Sequence, residues 1–400
     1  MAKASSANRP STATLIKSAN KGDGKAAATL LNRSLVTPDG KADKPLIDWF
    51  RDAAQQENAR AMCRLGDVYQ IGVGVEKNYR TAMKWYRKAA DAGHPCGMAG
   101  IGWMHFKGYG VPEAPKEALK WYCLAADKGG HEGMNNLGWL YRQGIAVEKD
   151  LSTAAYWFEK ASALGNPFAM DSLADMYLDG EGVPKDTKRA VELLTEAATD
   201  EHTVSMIKLG QLYFGLKGVE QNYTEALAWS RRAATLGDPN GMRQVGFVYL
   251  RGLGLPVDES QAFTWYEKAM DRGHPEAVLD VFGFYLQGIG VERSSAKAIE
   301  VLEKGAADGN AYAATQLGHV NFEGKLVERD YEKARQLYVQ AAESGHAPAM
   351  LSLASIYAGG YGVKKNRHLV IEWLEKAAAL GNPQAIEYLR VQSNTTKPKR

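Results

Sequence analysis

The motif L-G-x-x-Y and its close variants recur every 36 residues, nine times, with no insertion or deletion between copies. Its second position is occupied by Gly66, Gly102, Gly138, Ala174, Gly210, Gly246, Phe282, Gly318 and Ala354. A fixed period of this length indicates a solenoid, in which identical supersecondary units stack on one another. The period therefore overrides the two or three globular domains that a length of 400 residues would suggest.

Composition narrows the classes of function. The net charge is only +3, with 49 basic and 46 acidic residues interleaved along the chain. This balance argues against a nucleic-acid or anionic-membrane surface, and no apolar run predicts a membrane span or a signal peptide. The three cysteines, Cys63, Cys96 and Cys123, are sparse and odd in number. They predict no disulfide framework and favour a reducing compartment, the cytoplasm.

Each repeat begins with a stretch that has the period of a helix, called helix A below. In the first repeat Ala61, Leu65 and Tyr69 are four residues apart and share one helix face. Gly66 stands beside Leu65 although glycine costs a helix about 1 kcal/mol relative to alanine. We therefore expect a close approach of the partner helix at this position.

A glycine loop and a second helix, helix B, complete the repeat. Gly72 and Gly74 permit the positive φ that ends helix A, and Val75 is predicted to plug the loop into the core. The next column comprises Asn78, Ala114, Asp150, Asp186, Asn222, Asp258, Ser294, Asp330 and Asn366. Eight of these nine are preferred helix N-caps, and Ala114 precedes a proline suited to the first helical position.

Helix B carries two alanine columns that flank a column of large residues. The large column comprises Trp85, Trp121, Trp157, Leu193, Trp229, Trp265, Val301, Leu337 and Trp373. Small columns beside a large one allow helices to interdigitate at short distance. We therefore predict that this column, together with Trp49 at the equivalent position 36 residues before Trp85, lies in the core.

On these residues the repeat resembles the Sel-like repeat (SLR) family, a relative of the tetratricopeptide repeat. The resemblance covers Ala59 to Asn382 and weakens at Leu216, Phe282 and Leu326. It implies an all-α fold, a right-handed α-solenoid superhelix of antiparallel helical hairpins. Relatives of this type are bacterial adaptors, regulators or immunity proteins.

The chain is predicted to divide into five segments. Residues 1–22 are predicted to be a disordered N-terminal segment, and residues 23–58 a divergent N-terminal capping repeat. Residues 59–382 hold the nine 36-residue repeats, residues 383–392 a C-terminal capping helix, and residues 393–400 a basic flexible tail.

Structural roles account for most residues that invite a chemical interpretation. One column holds His94, His202, His274 and His346, residue types that favour a left-handed turn after a helix. Its neighbouring members are one repeat, about 10 Å, apart, which is too far to share a zinc ion. The glycine loops follow helices and recur in every repeat, unlike phosphate-binding loops. We therefore predict no metal and no cofactor.

No sequence motif indicates catalysis. The chain has no HExxH and no recognisable nucleophile motif, and Cys123, close to Trp121 on helix B, is predicted to be buried. We therefore predict that the protein is not an enzyme.

Trp103 and Trp139 depart from the repeat because they follow the helix A glycine. Their column reads Asp67, Trp103, Trp139, Asp175, Gln211, Phe247, Gly283, His319 and Ser355. Such mixed chemistry predicts exposure, and resemblance to tetratricopeptide arrays places the column on a concave surface. Nearby positions predicted to join it are Phe106, Arg142, Leu178, Asp179, Leu250, Asn135, Asp171 and Arg243. The alternative is that Trp103 and Trp139 pack on each other or on the next repeat's loop.

Asp171, Asp175 and Asp179 follow each other at four-residue intervals on one helix face. Like charges at this spacing destabilise a helix slightly. Two interpretations remain open: a solvated face, or an acidic pocket that receives a basic segment of a partner.

These observations predict a non-enzymatic, monomeric protein-binding scaffold or adaptor, with no nucleic acid and no membrane insertion. Its partner would lie in the groove near repeats two to four, anchored on Trp103, Phe106, Trp139 and Arg142, with Asp171 and Asp175 taking a basic group. Arg243 and Phe247 would extend the same face. The family resemblance, and not the residue pattern, implies the alternative of an immunity protein that neutralises a cognate toxin effector. In a different class, the alternative is a hydrolase acting on a peptide or cell-wall fragment.

Overall fold

A computed structural model describes residues 10–21, 23–31, 33, 35 and 41–395 of the chain, with side chains up to Val391. The described residues form 22 α-helices and no β-strand. They divide into two compact units, the first ending at Asn222 and the second beginning at Tyr223. The predicted all-α fold of stacked helical hairpins is confirmed.

The first unit contains α1 (Thr12–Ala19), α2 (Gly24–Leu31), α3 (Lys44–Gln55), α4 (Ala59–Ile71), α5 (Tyr79–Asp91), α6 (Pro95–Lys107), α7 (Pro115–Asp127), α8 (His131–Gln143), α9 (Leu151–Ala163), α10 (Pro167–Asp179), α11 (Thr187–Thr199) and α12 (Thr203–Leu212). The second contains α13 (Tyr223–Thr235), α14 (Pro239–Arg251), α15 (Glu259–Asp271), α16 (Ala277–Gln287), α17 (Ser295–Ala307), α18 (Ala311–Glu323), α19 (Tyr331–Glu343), α20 (Ala347–Gly359), α21 (Arg367–Ala379) and α22 (Pro383–Thr395). From α4 to α21, even-numbered helices are helix A and odd-numbered helices are helix B.

The predicted helix boundaries arise from local backbone chemistry. Gly72 ends α4 at φ 83°, and its N–H donates to the Val68 carbonyl at 2.9 Å. Side chains accept hydrogen bonds from first-turn N–H groups at seven predicted caps, Asn78, Asp150, Asp186, Asp258, Ser294, Asp330 and Asn366. Ala114 makes no such bond, and Pro115 follows it as expected. Each repeat therefore marks its own helix ends.

The glycine of helix A contacts the aromatic ring of helix B. A Cβ atom on Gly66 would stand 2.3 Å from Cε1 of Tyr86, so only hydrogen fits there. The same contact joins Gly102 to Tyr122, where the distance would be 2.5 Å. The structure thus confirms the predicted close approach and identifies its partner as the residue that follows the tryptophan column.

The two positions change together in size in several repeats, although the fifth has Gly210 and Ser230, which are both small. Ala174 replaces glycine where helix B carries Leu194 instead of tyrosine, and Ala354 does so where it carries Leu374. In the seventh repeat Phe282 is 8% exposed and belongs to the same buried cluster as Leu302. In this repeat the large aromatic residue therefore stands on helix A, at Phe282, and the smaller Leu302 occupies the tyrosine position of helix B.

The tryptophans of the large column lie at the edge of the core, which corrects the prediction that they are buried in it, whereas Leu193 of the same column is 2% exposed and buried as predicted. Trp85 is half-buried, and the Lys88 ammonium lies 4.5 Å from its ring centroid. Lys376 covers Trp373 in the same way at 4.2 Å. Consecutive side chains point about 100° apart around a helix, and it is Tyr86, 2% exposed, that faces helix A. Trp49, 8% exposed, is buried as predicted.

The loops of the third and fifth repeats deviate from the others. With Leu216 in place of the usual glycine, α12 has only ten residues and ends at Leu212, and Gly215 takes φ 92°. In the third repeat Ala146 occupies a glycine position and takes φ 61°. A residue with a Cβ atom in this left-handed region costs about 1–2 kcal/mol.

Both ends of the repeat array carry extra helices. Residues 12–19 form α1, which differs from the predicted disorder over residues 1–22, because Leu15 is buried and the Thr12 hydroxyl donates to Asp43 at 2.6 Å. Residues 1–9 and 22 of that segment lie outside the described residues. α2 and α3 occupy the predicted capping repeat. α22 extends to Thr395, three residues past the predicted end, and residues 396–400 of the predicted tail lie outside the described range.

A disulfide joins Cys63 on α4 to Cys96 on α6, with their Cα atoms 6.3 Å apart. This bond corrects the interpretation of the sparse cysteines as evidence against disulfides, and the argument for a reducing compartment loses its basis. The two residues are 33 positions apart, so the bond ties the helix A of one repeat to the next. Arg243 and Glu276 have the same spacing and form an ion pair at 3.0 Å.

Gly102→Ala is expected to lower the free energy of unfolding by about 1–3 kcal/mol, because its methyl group would overlap the Tyr122 ring. The double variant Gly102→Ala/Tyr122→Leu reproduces the alanine–leucine pair of the fourth repeat and should recover part of that loss. A double-mutant cycle by chemical denaturation measures the coupling, expected at about 0.5–3 kcal/mol. Simple additivity would show that the ring contact does not limit this position.

Ala146→Gly should raise the free energy of unfolding by about 0.5–1 kcal/mol. Glycine adopts positive φ without strain, and this relief exceeds the greater backbone entropy that glycine loses on folding. Gly110→Ala is the matched reverse exchange at the same loop position, where φ is 70° and a Cβ atom would stand 3.0 Å from Tyr79 Cβ. It should destabilise the protein. Denaturant melts of both variants test the pair, and the same sign for both would contradict the strain argument.

Candidate functional site

Three aromatic side chains from two successive helix A segments pack together in the first unit. Trp103 and Phe106 lie on α6 with ring centroids 5.9 Å apart, and Trp139 of α8 meets Phe106 edge-on at 5.3 Å. Trp139 is 39% exposed, and the other two are half-buried. Phe106 therefore lies between the two indoles. Trp139 is exposed as predicted, but the aromatic side chains also pack on one another across two repeats, as the alternative proposed in part.

A lysine completes this group and was missed by the sequence analysis. The Lys107 ammonium lies 5.1 Å from the Trp103 ring centroid and 5.3 Å from that of Phe106. Lys107 is exposed and follows Trp103 by one helical turn, a spacing that could have indicated the contact. Trp103, Phe106, Lys107 and Trp139 are called the aromatic surface below.

The charged residues predicted beside this surface are engaged within the chain. Arg142 donates from Nη2 to Glu181 Oε2 at 2.9 Å, which links α8 to the loop after α10. Lys217 approaches Asp179 at 2.6 Å. These ion pairs cross from one repeat to the next.

Lys208 of α12 occupies the predicted acidic pocket. Its Nζ lies 2.7 Å from Asp171 Oδ2 and 2.7 Å from Asp175 Oδ2. The basic group that was expected from a partner is thus supplied by the chain itself. Both earlier interpretations of the three aspartates need correction. The pocket already holds a lysine of the chain, and the face is not fully solvated, because the Asp171 side chain is only 15% exposed.

The charge balance at Lys208 follows from two opposing effects. Desolvation by burial lowers its pKa, but the carboxylates of Asp171 and Asp175 outweigh it, so the pKa is raised above its ordinary value. A raised pKa of a cation means that its stabilising effect is present at neutral pH and is lost as the pH rises past the folded-state value.

The second unit holds the remaining predicted site residues. Arg243 donates from Nε to Asp280 Oδ2 at 2.7 Å and also pairs with Glu276. Phe247 is 39% exposed, and the Arg251 guanidinium lies 6.0 Å from its ring centroid. Arg243 and Asp280 are half-buried, so Phe247 and Arg251 are the exposed members of this set.

The predictions for four other residues require correction or refinement. Leu178 is 3% exposed and belongs to the core, whereas Leu250 and Asn135 are half-buried. Cys123 is exposed. Tyr122, 2% exposed, is the residue that faces helix A, and the next side chain points about 100° away around the helix. Its column contains Arg87, Glu159, Arg231 and Glu267, a polar signal that a comparison across repeats would have provided.

The histidine column lies at the start of helix A and not at a left-handed position. His94 is the extended N-cap of α6 with φ −84°, and Gly93 before it takes φ 78°. His94 Nδ1 accepts a hydrogen bond from the Cys96 N–H at 3.3 Å. Ligand atoms of Cys63, His94 and Cys96 lie within 4.8 Å of one another. This cluster was missed from sequence because only the distances from one histidine to another were considered.

Lys208→Met is expected to lower the free energy of unfolding by about 1–3 kcal/mol, because it leaves two partly buried carboxylates without their cation. It should also reduce the loss of stability above about pH 10.4. Lys217→Met is the control, since its pair with Asp179 is 45% and 41% exposed and should contribute less than about 1 kcal/mol. Equal effects of the two substitutions in denaturant titrations would contradict this assignment.

Comparisons with known proteins agree with this architecture. The model of the Sel1 repeat matches residues 59–94, 97–130, 131–166, 167–202, 203–238, 239–274, 275–310, 311–346 and 347–382. No curated protein matches the chain. Among the described residues, no helix is long and apolar enough to cross a membrane.

Several solved structures are similar. A Sel1 repeat protein from Oxalobacter formigenes is 28% identical, with a TM-score of 0.50 over 61% of this chain and 96% of its own. A protective antigen of uropathogenic Escherichia coli that displays an SLR fold is 27% identical over 96% and 83%, with a TM-score of 0.49. An immunity protein from Pseudomonas aeruginosa is 22% identical over 54% and 81%, with a TM-score of 0.41.

Sel1 repeats form generally non-enzymatic scaffolds that are typical of protein–protein interaction. The nine matched repeats cover most of the chain, from residue 59 to residue 382. The chain therefore belongs to the Sel1 repeat family.

Proposed function

We propose that the protein is a non-enzymatic scaffold that binds a partner protein on the aromatic surface of its first unit. The observation that carries this proposal is the exposure of Trp139, 39%, beside Phe106 and Trp103. Other repeats place Asp67, Asp175, Gln211 or Ser355 at the tryptophan position. The stacking of repeats therefore does not require an aromatic residue there.

The packing of the aromatic surface favours binding energetically. Tryptophan is among the residue types most enriched in binding hot spots. The edge-on contact with Phe106 holds the Trp139 indole in place before any partner arrives. Little side-chain entropy is then lost on association, which lowers the free-energy cost of binding at this residue.

The charge around the aromatic surface supports a particular kind of partner segment. Lys107 places a positive charge directly over two of the rings, while Asp171 and Asp175 are already paired with Lys208. We therefore propose a partner segment with an apolar side chain next to an acidic one. This replaces the basic segment that the three aspartates suggested from sequence.

Ion pairs between repeats support binding without a large change of shape. Arg142 links α8 to Glu181, and Lys208 links α12 to Asp171 on α10. Such contacts hold successive helix A segments together at several points. The partner would thus meet a surface that is formed in advance, and association would be close to rigid-body docking.

Trp139→Ala should weaken partner binding by more than about 1 kcal/mol, about fivefold in Kd, because it removes the exposed anchor. It should change thermal stability little. Trp85→Ala is the matched control, since Trp85 is a half-buried tryptophan of a neighbouring repeat that lies outside the aromatic surface. Affinity capture from the native host with wild type and both variants identifies the partner, and calorimetry measures Kd.

Two outcomes would contradict the proposal. Partner binding that is lost equally with Trp85→Ala and Trp139→Ala would place the site elsewhere. A stability loss of about 3–5 kcal/mol for Trp139→Ala would show that the residue belongs to the core.

Adaptor and immunity roles remain predictions within the same class and differ in affinity. An immunity protein should bind one toxin effector with a very low Kd and bury a large area, whereas an adaptor should bind several partners more weakly. The hydrolase alternative predicts turnover that disappears on substitution of a single polar residue. Titration of the captured partner and an activity assay separate these roles.

A further inference from the structure

Cys63, His94 and Cys96 form a cluster that the proposed function does not use. Cys63 lies on α4 and is 5% exposed, and His94 and Cys96 lie half-buried at the start of α6. One ligand atom of each residue lies within 4.8 Å of the others. In the oxidised chain the two sulfur atoms are bonded to each other. We call this cluster the thiol–imidazole site.

We propose that the reduced thiol–imidazole site binds a zinc ion between the first and second repeats, and that formation of the disulfide releases it. The inference concerns a site apart from the aromatic surface. It makes the junction of the first two repeats dependent on metal in one redox state and on a covalent bond in the other.

The donor atoms match the preferences of zinc. Two thiolates and one imidazole are borderline-to-soft ligands that bind Zn²⁺ well and that calcium and magnesium avoid. Zn–S bonds of about 2.3 Å in a tetrahedron separate neighbouring sulfur ligands by about 3.8 Å. The 4.8 Å limit of the observed cluster leaves room for that separation. Three protein ligands leave a fourth position for water at this half-buried edge.

Local structure prepares two of the ligands. Cys96 is the second residue of α6, where the positive end of the helix favours the thiolate over the thiol. His94 Nδ1 accepts the Cys96 N–H at 3.3 Å, a long hydrogen bond. A neutral imidazole on a metal carries its proton on the other nitrogen, so ligation through either atom gives up this bond. Because the bond is weak, the exchange costs little.

The redox steps balance with a dithiol as reductant and a small-molecule disulfide as oxidant. Two electrons and two protons from the dithiol break the Cys63–Cys96 bond and yield two thiols, while the dithiol becomes a disulfide. Zn²⁺ then displaces both thiol protons and binds two thiolates and the His94 imidazole. In the oxidising direction the small-molecule disulfide takes two electrons from the two thiolates and two protons from water, becomes the dithiol, and leaves Zn²⁺ without its sulfur ligands. The disulfide links α4 to α6 in the oxidised state, and the metal would do so in the reduced state.

The test uses the intact chain, reduced with dithiothreitol that is then removed without oxygen. Titration with Co²⁺ should give saturation at one ion per chain, with the charge-transfer absorption of sulfur-bound cobalt, and Zn²⁺ should displace it. The oxidised chain should show neither signal. Metal binding that is the same in both redox states, or none in the reduced chain, overturns the proposal.

Variants identify the ligands. His94→Asn should weaken Zn²⁺ binding by the reduced chain at least about tenfold, but it should keep the start of α6, because Asn166 and Asn310 cap the equivalent helices. The disulfide of the oxidised form and the circular dichroism should stay unchanged. Cys63→Ser should abolish the sulfur–cobalt absorption.

Two controls complete the experiment. Cys123→Ser removes the third thiol, which is exposed on helix B, and His346→Asn makes the same cap exchange in the second unit. Neither should change metal affinity. Undiminished affinity in His94→Asn, or loss of the cobalt signal in Cys123→Ser, overturns the assignment of these ligands.

Discussion

The contact between the small residue of helix A and the ring of helix B is the constraint on which the hairpins depend. At Gly66 a Cβ atom would lie 2.3 Å from Tyr86, so the two helices approach until the ring touches the backbone of the other helix. In the fourth and ninth repeats both sides change together, to Ala174 with Leu194 and to Ala354 with Leu374. The larger residue on helix A there compensates for the smaller one on helix B, so these hairpins stay close-packed although their residues differ.

The same stacking places side chains 33 to 39 residues apart within reach of each other. At this offset the chain forms an aromatic contact between Phe106 and Trp139, an ion pair between Asp175 and Lys208, and the Cys63–Cys96 disulfide. The stacking of repeats thus brings equivalent positions together in each pair of neighbours, and the residues at those positions determine which kind of contact forms. The features on which both proposals depend, the aromatic surface and the thiol–imidazole site, belong to this set of contacts between repeats.

Local features of the fold could be predicted from sequence because they depend on residues close together in the chain. Gly72 and Asn78 determine where α4 ends and α5 begins through their own backbone and side-chain bonds. The errors arose where a residue was interpreted without comparing the equivalent residues of the other repeats or the residue next to it on the helix. Cys123 was placed in the core although its column is polar, and the tryptophans were assigned the burial that belongs to Tyr86 and its equivalents.

By itself, the sequence determined the repeat unit, the family, the caps and the glycine loops, since a 36-residue period and the residues at helix ends are local properties. It also indicated Trp103 and Trp139 as departures from the repeat. Only the tertiary structure decided which side chains meet: Lys208 with the aspartates, Lys107 with the aromatic rings, and Cys63 with Cys96. The physical reason is that these contacts depend on how one hairpin packs against the next, to within a few ångströms, and repeat spacing alone does not specify that distance.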